Sequence, residues 1–390
     1  MTEPTVSVVM PSYNHAAYLE EAIASVLRQR GVNFELLICD DGSSDSSGKV
    51  LQSQSDPRIR VTIHSENRGG CTTLNELISQ CRADYIALIN SDDAWQGEDK
   101  LLEQLELLQS NPNIGASFGK ADFIDAESKI IPDDQIALSG IFNKENQSRS
   151  KWLRAFFEHG NSICHPTMMI RKRCYVELGV YNNRFRQLPD LEMWTRLVKK
   201  YDIHISDKKW IKFRLIAGEN TSAPTKVNST RAINEQFIIN SKLLDDVAPD
   251  MLQEMFPELL PRGTNPSPAH FDIAKVIAFF NAGNPTSKNS HDLMGLIKLK
   301  ELLDKDEHAR ILRDEYKIDD RWFHQKMGEH ASLTHGFVWG TDPEEDRHAA
   351  EVSHLKQMIT AQNDVIENMR RDMNRPLLGI AAQRLMSKIF

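Results

Sequence analysis

Four short segments stand out as apolar and rich in β-branched residues: VSVVM (6–10), FELLICD (34–40), RIRVTIH (58–64) and DYIALIN (84–90). Each reads as a strand. Between the first two, Leu19, Ala22, Ile23, Val26 and Leu27 recur at helical spacing until Gly31 ends the run; Leu74, Leu77, Ile78 and Cys81 do the same before the fourth. Strand and helix alternate, and the strands are apolar almost throughout. That pattern predicts an α/β fold built on a mostly parallel sheet with helices on both faces. Ligands of such sheets bind beyond the carboxyl ends of the strands. Here those ends are PSYN (11–14), CDDGSSD (39–45), HSENRGG (64–70) and NSDDAW (90–95), four polar clusters on one edge.

After about residue 225 the texture changes to helical stretches such as FDIAKVIAFFNAG and MGLIKLKELLDKDEHARIL. The expected organisation is a first domain over 1–228, a helical domain over 229–340, a coiled coil over 341–375 and an amphipathic tail over 376–390. The coiled coil rests on Val352, Leu355, Ile359, Ile366, Met369 and Met373, with Gln362 as the polar seam position. This heptad spacing suits a homo-oligomer, and a single helix docked on the helical domain is the simpler alternative. From Arg370 onward five basic residues face only Asp372, so the tail suits peripheral contact with an anionic membrane as well as packing on the protein.

Composition narrows the function. A 40% hydrophobic and 26% charged chain of 390 residues is ordinary for a globular protein. The opening MTEPTVSVVMPSYN lacks the basic and long apolar stretches of a secretion signal, so a cytoplasmic location is expected. The formal net charge of -8 argues against a nucleic-acid partner. Five cysteines without a Cys-x-x-Cys pair indicate neither a disulfide framework nor a zinc knuckle.

The candidate chemistry lies at the sheet edge. Ser91, Asp92 and Asp93 place two adjacent carboxylates at a strand end, where they repel unless a hard cation such as Mn²⁺ or Mg²⁺ joins them. A solvated loop with an aspartate N-cap is the bland alternative. Asp40 and Asp41 begin a turn, yet a carboxylate there can accept from a base N–H. Tyr13 can stack on a base, with Ser12 close by.

Together, VSVVMPSYNHAAYLEEAIASVLRQ, FELLICDDGSSD, ENRGGCTTLN and ADYIALINSDDAW resemble, in order and spacing, the N-terminal half of the family 2 inverting glycosyltransferases of the A-type fold. The likeness covers roughly residues 5 to 225. It implies a nucleotide-sugar donor, of the UDP type, and a divalent cofactor, Mn²⁺ or Mg²⁺. Pro11, Ser12, Tyr13 and Asn14 would border the nucleotide, Asp41 with Asp40 beside it would address the uracil edge, and Asn67 and Arg68 would lie near base or phosphates. Asp92, next to Ser91, would reach the ribose or sugar, and Asp93 would hold the metal.

FRQLPDLEMWTRLVKK (185–200) resembles the family segment that carries the catalytic base, which implies Asp190 in that role. Pro189 stands where Glu or Gln is usual, and Glu192 is an alternative base; an N-cap is the bland reading of Asp190. His165, Trp194 and Arg214 are candidates for the acceptor or donor pocket. In FRLIAGENTSAP (213–224), Asn220 and Ser222 match the family and Ile216 replaces a histidine. The implied activity is metal-dependent, inverting transfer to a carbohydrate or lipid-linked glycan acceptor. Two rivals are weighed: a nucleotidyltransferase, for which no glycine-rich, lysine-containing loop follows the first strand, and a degenerate nucleotide- or carbohydrate-binding scaffold.

Overall fold

The computed structural model describes residues 3–216, 225–262, 265–282 and 288–329. Its strands, in chain order, are β1 (Val6–Ser12), β2 (Phe34–Asp40), β3 (Ile59–Ile63), β4 (Tyr85–Leu88), β5 (Ala94–Trp95), β6 (Ile114–Ile124), β7 (Ile130–Ile131), β8 (Met169–Arg171) and β9 (Asp202–Arg214). They form one sheet in the order β3-β2-β1-β4-β8-β6-β9-β5, with β7 paired to β6. The run β3-β2-β1-β4 is parallel, as the alternation of strand and helix requires. Beyond β4 the sheet becomes mixed, because β8 pairs antiparallel with both β4 and β6.

The helices of the first half are α1 (Leu19–Leu27), α2 (Ser47–Gln52), α3 (Gly70–Gln80), α4 (Lys100–Ser110), α5 (Ala137–Phe142), α6 (Arg149–His159), α7 (Lys172–Leu178) and α8 (Pro189–Lys200). They cover both faces of the sheet. Val6, Val8 and Met10 of β1 pack on one face with Leu19, Ile23 and Leu101, whereas Val9 joins Leu77, Ile86 and Trp152 on the other. Alternate residues of one apolar strand therefore feed two cores, which is why the strand needs no polar face. The edge strand β3 is more exposed, and Arg60 on it pairs with the buried Glu35 of β2 at 3.0 Å.

From Thr225 the chain is helical: α9 (Lys226–Leu243), α10 (Pro249–Met255), α11 (Pro268–Asn281), α12 (Lys288–Leu303), α13 (Asp306–Asp314) and α14 (Asp320–Glu329). Ile239, Leu243, Leu252 and Phe279 share a core with Phe156 and Leu197. The change of texture near residue 228 thus falls within one compact unit that runs to residue 330. The expected coiled coil over 341–375 and tail over 376–390 lie outside the described residues, as do Asn220 and Ser222. No helix among the described residues is long and apolar enough to cross a membrane.

Candidate active site

The ends of β1 and β2 are tied together by short polar side chains. Asn14, in the left-handed region at φ 55°, accepts the Ser44 N–H on its Oδ1 at 2.8 Å and donates its own N–H to Ser43 Oγ at 2.7 Å. Asparagine tolerates that backbone well. Asp40 is buried and accepts from Ser43 N–H at 3.0 Å and Ser43 Oγ at 2.6 Å. Its carboxylate is bonded within its own turn, beside Asp41. Gly42 follows at φ +71°, where a Cβ would lie 2.4 Å from the Glu66 carbonyl carbon. The turn and the 66–70 loop touch backbone to backbone, and only glycine permits it.

Asp41 fastens that loop. Its carboxylate accepts the N–H groups of Arg68 at 2.8 Å and Gly69 at 2.9 Å and faces His64 Nδ1 at 3.1 Å. Asn67 and Arg68 are exposed beside it, and Tyr13 is 45% exposed, leaving its ring available at the rim. Pro11 is half-buried, and the buried Ser12 Oγ has no partner among the described residues.

At the end of β4, Ser91, Asp92 and Asp93 are all buried. Ser91 Oγ lies 2.8 Å from His15 Nδ1, and His15 Nε2 is 4.0 Å from Asp92 Oδ2. Asp93 accepts the Arg214 backbone N–H at 2.8 Å on one oxygen and Asn90 Nδ2 at 3.0 Å on the other. Burial raises both aspartates above the usual carboxylate range, and Asp92 pushes Asp93 further. Two desolvated, mutually repelling oxygen donors at a ligand-facing strand end fit a hard divalent ion, Mg²⁺ or Mn²⁺.

Arg214 belongs to the support of this pair rather than to a pocket wall. Its guanidinium is almost fully buried; it donates to the Asp92 carbonyl at 2.7 Å, to the Asp125 carbonyl at 3.0 Å and to Glu21 at 2.6 Å. The ring of Tyr18 lies under it at 4.6 Å.

On the other side of the sheet edge, Pro189 occupies the first turn of α8, where its fixed φ and missing N–H cost nothing. The departure at Pro189 is therefore compatible with a helix that starts at this point. Asp190 follows, accepting Asn161 Nδ2 at 2.5 Å and the Leu191 N–H at 2.8 Å. Burial raises its carboxyl to about 6, outweighing the lowering by those donors.

The other pocket candidates fall elsewhere. Glu192 is held by Arg196 of its own helix at 2.9 and 2.7 Å, so it does not share the Asp190 environment. Trp194 is fully buried against Phe118 at 4.9 Å and is a core residue. His165 Nε2 meets the Tyr181 hydroxyl at 2.8 Å, and burial lowers its imidazole to about 4, leaving it neutral.

Three contributors escape the sequence motifs. His15 lies between Ser91 and Asp92, and Asn161 holds Asp190. Glu235, buried on α9, accepts three successive backbone N–H groups, from Arg186 at 2.9 Å and from Gln187 and Leu188 at 2.8 Å. These are the residues leading into Asp190. His15 adjoins Asn14 in the PSYNH strand end, and nothing in INEQF marks Glu235.

The segment 161–168 connects the two sides. Asn161 reaches Asp190, while the Pro166 carbonyl accepts Trp95 Nε1 at 3.3 Å, two residues from Asp93. Between them, the buried Cys164 thiol is pushed up by desolvation and by both the Asp93 and Asp190 carboxylates.

A family profile for glycosyl transferase family 2 matches residues 7–175. A Bacillus subtilis protein named as a putative teichuronic acid biosynthesis glycosyltransferase, TuaG, is 39% identical over 200 residues, covering 51% of this chain and 73% of its own. The chain belongs to glycosyl transferase family 2. An uncharacterized glycosyltransferase of Rickettsia felis is 30% identical over 218 residues, 54% of this chain but only 34% of the relative. The match thus spans about a third of that longer protein. The S. aureus TarS 1–349 structure in complex with UDP superimposes with a TM-score of 0.50 at 14% identity, covering 86% of this chain and 94% of TarS 1–349. The likeness is one of fold: an A-type sheet followed by helices.

Proposed function

We propose that this family 2 protein transfers a sugar from a nucleoside diphosphate donor, UDP in the first instance, to an acceptor hydroxyl, with inversion and with the help of a divalent metal. The observation that carries this reading is that segment 161–168 bonds Asp190 through Asn161 and, through the Pro166 carbonyl, Trp95, two residues from Asp93. The TuaG name ties that relative to teichuronic acid biosynthesis, and we extend to this chain an acceptor of the polysaccharide or glycoconjugate type.

In this reading Tyr13 stacks on the base and the Asp41 edge meets its polar rim. Asp93, with Asp92 beside it, would hold the metal, which supplies neutralisation of the departing diphosphate when bound. Asp190 Oδ accepts the proton of the acceptor hydroxyl as that oxygen attacks the anomeric carbon. A carboxyl near 6 suits this work, being ionised at neutral pH yet more basic than an exposed aspartate. Asn161 and the Leu191 N–H orient it.

The test is turnover of a nucleotide-sugar panel with acceptor glycans, in Mn²⁺, Mg²⁺ or chelator, with the anomeric configuration of the product read by NMR. We expect metal-dependent transfer from one donor class with inversion. No turnover across the panel with any acceptor, or a retained configuration, would refute the reading.

A further inference from the structure

Behind the nucleotide edge, three metal-ligating side chains from separate elements meet. Cys39 lies next to the end of β2, His64 follows β3 and Glu76 lies on α3; their ligand atoms all fall within 4.8 Å of one another. His64 Nε2 is 3.4 Å from Cys39 Sγ and 3.0 Å from Glu76 Oε2. For metal–ligand lengths of about 2.0 to 2.3 Å, the edges of a tetrahedral site measure roughly 3.3 to 3.8 Å. The Cys39–His64 edge lies in that span, and the His64–Glu76 edge is a few tenths of an ångström shorter.

We propose that Cys39, His64 and Glu76 form a second divalent-cation site, of a borderline-soft type such as Zn²⁺, separate from Asp92 and Asp93. A thiolate, an imidazole and a carboxylate are a donor set that Mg²⁺ does not choose and that Zn²⁺ does. The fourth position falls to water, reached past Glu76, whose side chain is 30% exposed while Cys39 is fully buried. Asp41 supplies the supporting bond. Its contact with Nδ1 at 3.1 Å fixes the tautomer that leaves the Nε2 lone pair for the metal, the carboxylate–histidine–metal relay of zinc proteins.

The surroundings favour a cation. Glu76 and Asp41 both face His64, so the site offers carboxylates to a cation, and coordination of Cys39 as thiolate releases its proton to solvent. Arg68 is the competing cation, 3.9 Å from Glu76, but it is half exposed and free to turn outward. Without metal the same contacts are hydrogen bonds between His64 and the Asp41 and Glu76 carboxylates, and that is the outcome to be excluded. The inference does not depend on the proposed transfer reaction. Its structural consequence is a pin joining β2, β3 and α3 through Asp41 to the 68–69 amides.

The experiment titrates Co²⁺ into the full, chelator-stripped chain carrying Asp93→Asn, so that the other site does not compete. One equivalent should bind with a tetrahedral visible spectrum and a thiolate-to-cobalt band, both abolished by Zn²⁺. Cys39→Ser should remove the thiolate band, and Asp41→Asn should weaken binding by about 10- to 100-fold. Glu76→Gln, at a partly exposed position that tolerates exchange, should weaken it by tenfold or more even where Cys39→Ser fails to fold. Absence of the thiolate band in the parent, its persistence in Cys39→Ser, or unchanged affinity in Glu76→Gln would overturn the proposal.

Discussion

The proposed donor edge and the proposed acceptor side of this protein are built by different means. At the donor edge each strand end brings its own polar motif; some of its bonds are local, as from Ser43 to Asp40, and others tie one strand end to another, as from Ser44 to Asn14 and from Arg214 to Asp93. On the acceptor side, Asp190 depends on Asn161, 29 residues earlier, and its approach segment hangs on Glu235, some 47 residues beyond Leu188. A strand end followed by a turn advertises itself in sequence. A carboxylate positioned by helices from distant parts of the chain does not.

This contrast can be broken experimentally. The largest effect is expected from Asp190→Asn, which removes the proton acceptor and should lower transfer by about 10² to 10⁴-fold in a steady-state assay. Glu235→Ala should follow, since it releases three N–H groups and lets Asp190 drift; displacements near 1 Å cost about 10²-fold. That loss should fall on kcat, and Glu235→Gln, which keeps one acceptor oxygen, should recover part of it. If Glu235→Ala transfers normally, the acceptor side does not rely on α9.

Gly42→Ala tests the donor edge. The clash with Glu66 and the positive φ should destabilise the fold by about 1 to 3 kcal/mol and weaken nucleotide binding, measured by thermal unfolding and titration. The pH profile separates the sides next. Because Asp190 must be ionised, transfer should fall as pH drops through about 6, tenfold per unit at the acid limb. Asn161→Ala removes a donor that favours the charged form, so the limb should move to higher pH. The smallest change is expected for Glu192→Gln, which loses only an i,i+4 pair of about 0.3 to 0.5 kcal/mol and should transfer at nearly the normal rate.

Much of the first half was legible in the sequence. The strand segments and the helix at Leu74–Cys81 correspond closely to β1 to β4 and α3, because apolar periodicity and turn residues are local signals. The mixed half of the sheet was not, since β8 and β5 span three and two residues and carry no periodicity of their own. The site shows the same division. The strand ends that carry Asp41, Asp92 and Asp93 lie along one edge, as the strand pattern implies, whereas Trp194 and Arg214 are buried by the fold. For Arg214 the reason is specific: five acceptors surround its guanidinium, a cage assembled from Glu21, Asp92 and the 125–128 turn that no spacing rule anticipates.

The central claim is that donor binding and proton removal are housed in one cleft but on separable groups. It is tested most directly by titrating UDP into Asp93→Asn and Asp190→Asn side by side, with Mn²⁺ and with chelator. The account requires Mn²⁺-dependent affinity to be lost in Asp93→Asn and kept within about twofold in Asp190→Asn. Equal loss in both, or retention in Asp93→Asn, would contradict it.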